Sequence, residues 1–207
     1  MKRIAVLVSG GGTNLQALID AQMRGELGGG QIVAVISSKA GAYALERAKN
    51  AGIEGFVLPR KEFDSNRSMT VALVELLRKL HIDLVVLAGC MIIFTEELVD
   101  AYPNAIMNVH PALIPSFCGP GYYGLRVHEE ALSYGVKLSG AKVHFVSAEC
   151  DGGPIIAQKS VEVCPDDTPE VLQKRIMEQA EWILLPQAVR AFCEDRITVD
   201  GRAVIIK

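Results

Sequence analysis

The sequence predicts an α/β fold: a doubly wound, mostly parallel sheet with an antiparallel C-terminal extension. Three observations carry this expectation. Short apolar runs alternate with amphipathic stretches of helical period through the first half of the chain, as repeated strand–helix units require. The turn Ser9-Gly10-Gly11-Gly12-Thr13-Asn14 joins the first apolar run to the first helix. After Asn108 the pattern changes, and two strand-like segments flank the turn Asp151-Gly152-Gly153-Pro154.

The elements follow in order. Ile4 to Ser9 reads as a buried strand, and the glycine turn leads into a helix from near Asn14. Ile32 to Ser37 is a second strand, and Ala42 to Ala51 a helix closed by Gly52 in the C′ position. Gly55 to Leu58 is a short third strand. Ser68 to Leu80 is a helix with Val71, Val74 and Leu77 facing inward and Leu80 at its end, and His81 caps its junction with the next strand. Asp83 to Ala88 is continuously apolar, as a strand covered on both faces must be. Behind Tyr102-Pro103, Asn104 to Val109 is the next strand. Pro111 to Gly124 is a long loop rich in Pro, Gly and aromatic residues, of a length that is usually functional. A helix from Leu125 to Tyr134 precedes the antiparallel pair Ser139 to Val146 and Pro154 to Val163. Thr168 caps a long helix with Pro169 at its first position, running to Cys193. A terminal hairpin turns at Asp200-Gly201.

The 207 residues suit one domain of two unequal lobes, 1–103 and 104–207. Net charge is −3, with no basic surplus, so neither nucleic acid nor an anionic membrane is an expected partner. Five scattered cysteines without C-x-x-C spacing read as reduced thiols rather than a disulfide framework or a zinc site. The apolar run after Met1-Lys2-Arg3 is too short for a signal peptide, and no run of about 18 apolar residues exists. A cytoplasmic enzyme is the expectation.

Chemistry concentrates in Asn108-Val109-His110-Pro111. Side chains alternate along a strand, so Asn108 and His110 leave its C-terminal end on one side. They offer an amide donor and an imidazole to one small volume, and Asp151 in its glycine-rich turn is placed to fix the imidazole. Such a trio suits reaction at a carbonyl carbon, where one group takes a proton and another holds the oxyanion.

A second candidate is the glycine turn. A helix N-terminus presents free N–H groups and the positive end of a dipole to an anion. The acid expected at the end of the second strand in a dinucleotide site is missing, since Ser37-Ser38-Lys39 stands there. No Gly-Lys-Ser/Thr follows either. Thr13 and Asn14 side chains suit a terminal phosphate monoester instead. The apolar segment Gly89-Cys90-Met91-Ile92-Ile93-Phe94 emerges at the carboxyl-end crevice and forms a slot for a flat ring. His144 reads as a packed strand histidine or a support to the trio, and His128 as a surface residue. Glu181 either meets a sugar hydroxyl or is solvated.

Five stretches in order across almost the whole chain resemble the folate-dependent phosphoribosylglycinamide formyltransferases. They are Val8-Ser9-Gly10-Gly11-Gly12-Thr13-Asn14-Leu15-Gln16, Asp83-Leu84-Val85-Val86-Leu87-Ala88-Gly89-Cys90-Met91, Asn108-Val109-His110-Pro111-Ala112-Leu113-Ile114-Pro115, Val143-His144-Phe145-Val146 and Asp151-Gly152-Gly153-Pro154. The resemblance implies a formyltransferase-like fold with a phosphate-binding half (1–103) and a catalytic, folate-binding half (104–207). It implies that the amine of glycinamide ribonucleotide attacks the formyl carbon of 10-formyltetrahydrofolate, with no metal. Asn108 would donate to the oxyanion, His110 would handle protons, and Asp151 would favour protonated His110, with His144 behind them. Phosphate would sit on Gly11, Gly12, Thr13 and Asn14, with Glu181 at the ribose. The pterin would pass Met91, Ile92 and Ile93 and lie against Val146, Cys150 and Asp151. The protein would work on these small molecules as a monomer or homodimer. Ile92, Glu178 and Pro120 stand where many members carry basic or amide side chains, and Asn66 or Arg67 where a basic residue is expected.

Two other readings fit parts of the pattern. The same trio could activate water, as in a formyltetrahydrofolate hydrolase, or serve a different amine; the glycine turn and the lack of a further regulatory or tRNA-binding domain in this sequence count against both. A nucleotide-binding module with a silent trio is the non-enzyme alternative, against which the intact Asn108, His110 and Asp151 stand.

Overall fold

The computed structural model describes residues 1–207. The parallel part of the chain runs β1 (Arg3–Val8), α1 (Thr13–Met23), β2 (Gln31–Ser37), α2 (Tyr43–Asn50), β3 (Glu54–Val57), α3 (Asn66–Lys79), β4 (Leu84–Leu87), α4 (Glu96–Ala101) and β5 (Ile106–His110). It continues through α5 (Arg126–Tyr134), β6 (Leu138–Phe145), β7 (Ile155–Glu162), α6 (Pro169–Ile176), a π-helical turn (Met177–Glu181), α7 (Trp182–Cys193), β8 (Ile197–Asp200) and β9 (Ala203–Ile206). Seven strands form one sheet in the order β3-β2-β1-β4-β5-β6-β7, while β8 and β9 pair as a separate hairpin. Strands β1 to β5 are mutually parallel, and β6 and β7 run antiparallel to their neighbours, as the sequence predicts.

Strand alternation divides the core. Ile4, Val6 and Val8 enter a large cluster with α1, α2, α6 and α7, while Ala5 and Leu7 enter a smaller one with α3 and α4. Burial on both faces explains why β1 and β4 are apolar without interruption. Apolar burial at about 25 cal/mol per Å² makes these two layers the main source of cohesion.

The topology also decides where a ligand can bind. Strands β2 and β3 lie on one side of β1, and β4 onward on the other. The loops leaving the carboxyl ends of β1 and β4 therefore diverge and open a crevice between them. Those loops carry the glycine turn and the Gly89 to Phe94 segment.

Several local expectations change. Val71 is 41% exposed, and the buried stripe of α3 is Met69, Thr70, Leu73, Val74 and Leu77. The helix begins at Asn66 under a Ser65/Ser68 capping box, and at 100° per residue Val71 falls on the side away from Leu73. His81 takes a left-handed conformation (φ 51°) and closes α3, its N–H bonded to the Arg78 carbonyl and that of Ile82 to Leu77. The short helix α4 has no counterpart in the sequence reading, being under two turns long. The long C-terminal helix is interrupted by the π turn and contains Pro186, which cannot donate to the ladder.

Candidate active site

Asn108 and His110 project from β5 on the face opposite Met107 and Val109, which belong to the large core. Antiparallel register places His144 opposite Asn108 and Lys142 opposite His110. Residues paired this way share a face, so four polar side chains form a square on one patch of sheet. The turn after β6 then brings Asp151 over them. Gly153 lets that turn close against β6, for a Cβ there would lie 1.8 Å from the Phe145 carbonyl oxygen.

The hydrogen bonds define the protonation pattern. His144 Nδ1 lies 2.9 Å from the Phe145 carbonyl oxygen, which can only accept, so Nδ1 carries the proton. In neutral His144, Nε2 then accepts from the Asn108 amide nitrogen at 3.2 Å. The other Asn108 N–H points to Asp151 Oδ1 at 3.4 Å. Asp151 Oδ2 accepts from the Gly119 backbone N–H at 3.0 Å, which ties the long loop to the trio. His110 Nε2 donates to the Phe117 carbonyl at 2.9 Å, leaving its Nδ1 lone pair facing Asp151 Oδ2 across 3.9 Å.

Burial adds to the expected play of charges at the trio. Burial outweighs the Phe117 carbonyl and the Asp151 charge and holds the His110 pKa below its ordinary value, with Lys142 and His144 acting in the same direction. Asp151 pulls the imidazole toward its protonated form, as expected, but burial opposes it more strongly. Burial alone would raise the Asp151 carboxyl, yet the His144 and His110 imidazoles and the Gly119 N–H bring it down to about 2, so the carboxylate is ionised.

One cavity of about 990 Å³ joins the trio to the other candidates. Gly11, Gly12, Thr13, Asn14 and Glu181 line one end, and Met91, Ile92, Ile93, Val146 and Cys150 line the slot beyond Asp151. Met91 and Ile93 are 57% and 65% exposed, so the slot presents apolar surface to an incoming group. The glycines differ in what they are for. Gly12 is left-handed (φ 72°) and a Cβ there would stand 2.7 Å from Ala44 Cβ, whereas Gly10 and Gly11 have open space where a Cβ would be. Open backbone at a helix N-terminus suits close approach by an anion.

The Asn14 side chain is engaged at this end of the cavity. Its amide donates to Glu181 Oε2 at 2.5 Å, and both residues are buried, so one of its two N–H groups is held by Glu181. Glu181 is thus not solvated; burial raises its pKa and the Asn14 bond opposes this. Glu178 faces away from the cavity and pairs with Lys174 at 3.9 Å. Arg67 lines the cavity and pairs with Glu97, while Asn66 is engaged by Arg60. Pro120 and Ile92 line it as well.

His128 overturns its surface assignment. It is fully buried at the start of α5, lines the cavity, and has neither ring nitrogen bonded. Burial first, and then His110, push its pKa down to about 4. Position on a helix near a long loop suggested exposure, but the side chain is buried on the inner face of α5 with Val127 and Ala131. Gln173, Met177 and Tyr122 also line the cavity without having been singled out. Nothing in their local sequence distinguishes them. Lys142 is different, since a lysine two residues before His144 in an apolar strand must share its face.

Comparison with known proteins identifies the family of the chain. The family model described as "Formyl transferase" matches residues 2–189. A phosphoribosylglycinamide formyltransferase of Haemophilus influenzae is 41% identical over 211 residues, covering 99% of this chain and 96% of the relative. The crystal structure of glycinamide ribonucleotide transformylase 1 from Symbiobacterium toebii superimposes with a TM-score of 0.94 at 43% identity, covering 100% of this chain and 94% of that one. A formyltetrahydrofolate deformylase from Pseudomonas syringae superimposes at 0.87 with 28% identity, covering 99% of this chain and 65% of that one.

Proposed function

Since the chain belongs to the formyl transferase family, we infer that it carries the formyl group of 10-formyltetrahydrofolate to the amine of glycinamide ribonucleotide in purine synthesis. It is an enzyme of one-carbon group transfer, with the folate as donor substrate. The observation that carries the reading is the single cavity joining an open glycine turn to the Asn108, His110 and Asp151 trio.

The chemistry proceeds by direct attack. The acceptor amine bonds to the formyl carbon, the formyl oxygen takes negative charge, and the amine nitrogen has a proton to lose. Asn108 supplies the oxyanion donor by turning one N–H from its long 3.4 Å contact with Asp151, while His144 keeps hold of the other. One such donor in a water-excluded site is worth roughly 3–4 kcal/mol. The His110 Nδ1 lone pair takes the amine proton, and the imidazolium then faces the Asp151 carboxylate. Collapse of the intermediate breaks the bond from carbon to the folate nitrogen, which recovers a proton from His110. The charge therefore appears on His110 only during the reaction, where it is most useful.

Phosphate rests on the backbone of Gly11, Gly12, Thr13 and Asn14 with the Thr13 hydroxyl, and Glu181 meets the ribose. The pterin occupies the slot of Met91, Ile92 and Ile93, against Val146, Cys150 and Asp151. Five free cysteines and the small-molecule substrates fit a cytoplasmic location. No helix is long and apolar enough to cross a membrane.

The likeness to a deformylase favours one competing reading, in which the same trio activates water. Folate turnover followed by absorbance, with and without glycinamide ribonucleotide, separates the two. Turnover that depends on the ribonucleotide and yields its formyl derivative is the expected result. Turnover without any amine identifies a hydrolase, turnover only with another amine reassigns the acceptor, and binding without turnover identifies a silent module.

A further inference from the structure

We propose that Lys142 is a positioning residue for the transfer: its buried ammonium group grips the Asp151 carbonyl and locks the turn that aims the Asp151 carboxylate into the cavity. The inference rests on the role of Asp151 in the reaction proposed above.

Lys142 is fully buried in the middle of β6, between His110 on β5 and Gln158 on β7. Its Nζ donates to the Asp151 carbonyl oxygen at 2.8 Å. No carboxylate lies close enough to form an ion pair with it. A buried ammonium with one backbone acceptor and no counter-ion is an expensive way to fill a sheet interior, which an apolar side chain would fill at no such cost. Its placement makes sense through what it holds.

Asp151 is left-handed (φ 55°), a conformation that Asp adopts more readily than most residues with a Cβ but still at some cost. Two donors impose it here, Lys142 on the main-chain carbonyl and the Gly119 N–H on the carboxylate. Without the first, the turn is free to relax, and the carboxylate leaves Asn108, His144 and His110. Charge adds to geometry. The groups acting on Lys142 are Asp151, Cys118, Cys150 and Arg202, and across the strand it faces His110. Its cation steadies the ionised Asp151 and disfavours protonation of resting His110. Burial lowers the Lys142 pKa to about 8, so the full charge-assisted grip belongs to neutral and acidic pH.

The test measures kcat, both KM values and the pH dependence of kcat for the wild type, Lys142→Met, Lys142→Gln and Lys142→Arg, with thermal midpoints. Lys142→Met is expected to lower kcat about tenfold or more with KM changed less than about threefold. Its thermal midpoint is not expected to fall, because an unpaired buried charge is removed. Its acid limb moves to higher pH because His110, the proton-accepting base, loses a neighbouring cation that holds its pKa down. Lys142→Arg, or Lys142→Gln through its amide, restores part of kcat, and Lys142→Arg extends the alkaline limb upward. A Lys142→Met enzyme within twofold of the wild type overturns the proposal, as does a loss of rate with the acid limb unmoved. Should Lys142→Met not fold, the limbs of the Gln and Arg variants decide in the same way. Wild-type turnover of glycinamide ribonucleotide is measured first: an inactive wild type overturns the transfer reading, whereas an active wild type with an indifferent Lys142 overturns only this inference.

Discussion

Asn108 and His144 form a cross-strand pair in which the amide nitrogen lies 3.2 Å from the imidazole Nε2. The Phe145 carbonyl takes the His144 Nδ1 proton, so in the neutral ring Nε2 accepts, and Asn108 is oriented with its NH₂ inward. His144→Phe removes that acceptor while filling the strand position. We expect kcat to fall roughly 10- to 100-fold, and Asn108→Ala to fall roughly 10²- to 10³-fold, both with small changes in KM. Steady-state kinetics check the order; an Asn108→Ala enzyme losing less than His144→Phe would contradict the donor role.

The buried His128 makes the protein sensitive to acid. Its pKa is about 4 in the fold against 6.5 ordinarily, so the unfolded chain binds the proton more readily. The stability it leaves intact is fully present above pH 6.5 and lost progressively as pH falls toward 4, by on the order of 3 kcal/mol. His110, lowered for the same reason of burial, titrates in the same direction. His128→Leu should flatten the dependence of the thermal midpoint on pH in this window. Calorimetry of both proteins between pH 4 and 7 provides the check, and parallel curves would remove His128 from the account.

The Asn14–Glu181 bond ties the first helix to the end of the π turn across 167 residues of sequence. Asn14→Ala leaves the buried carboxyl without its donor, which costs about 1–3 kcal/mol. Because Glu181 lines the cavity, the same change should raise KM for the ribonucleotide more than it lowers kcat. Denaturant unfolding and kinetics together test this, and an unchanged KM would separate the pair from substrate binding.

Gly12→Ala should damage both packing and the anion turn. The position is left-handed and the added methyl would meet Ala44 Cβ at 2.7 Å. A loss of about 1–3 kcal/mol is expected, with weaker binding of inorganic phosphate measured by titration. Gly11→Ala, where a Cβ meets nothing, should preserve stability and impair only the ligand.

Much of this site was legible in the chain because its elements are periodic. Alternation on β5 placed Asn108 and His110 together, and the Asp151 turn was marked by its glycines. The protonation of His110 was not legible, because it depends on how completely water is excluded, which no local pattern records. The same reason hid His128, whose burial depends on the packing of α5 against the rest of the fold. The outward turn of Glu178 and the inward turn of Asn14 depend on the partners Lys174 and Glu181.

By itself the sequence determined the fold class, the glycine turn, the trio and the family, since hydrophobic period, turn chemistry and in-order motifs are local properties. Only the tertiary structure decided which groups are charged and which side chains face the cavity. Antiparallel register set Lys142 against His110 and His144 against Asn108, and burial then chose among their protonation states. Those choices depend on desolvation and on contacts between distant residues, and both come into being only when the sheet closes and the loops fold across it.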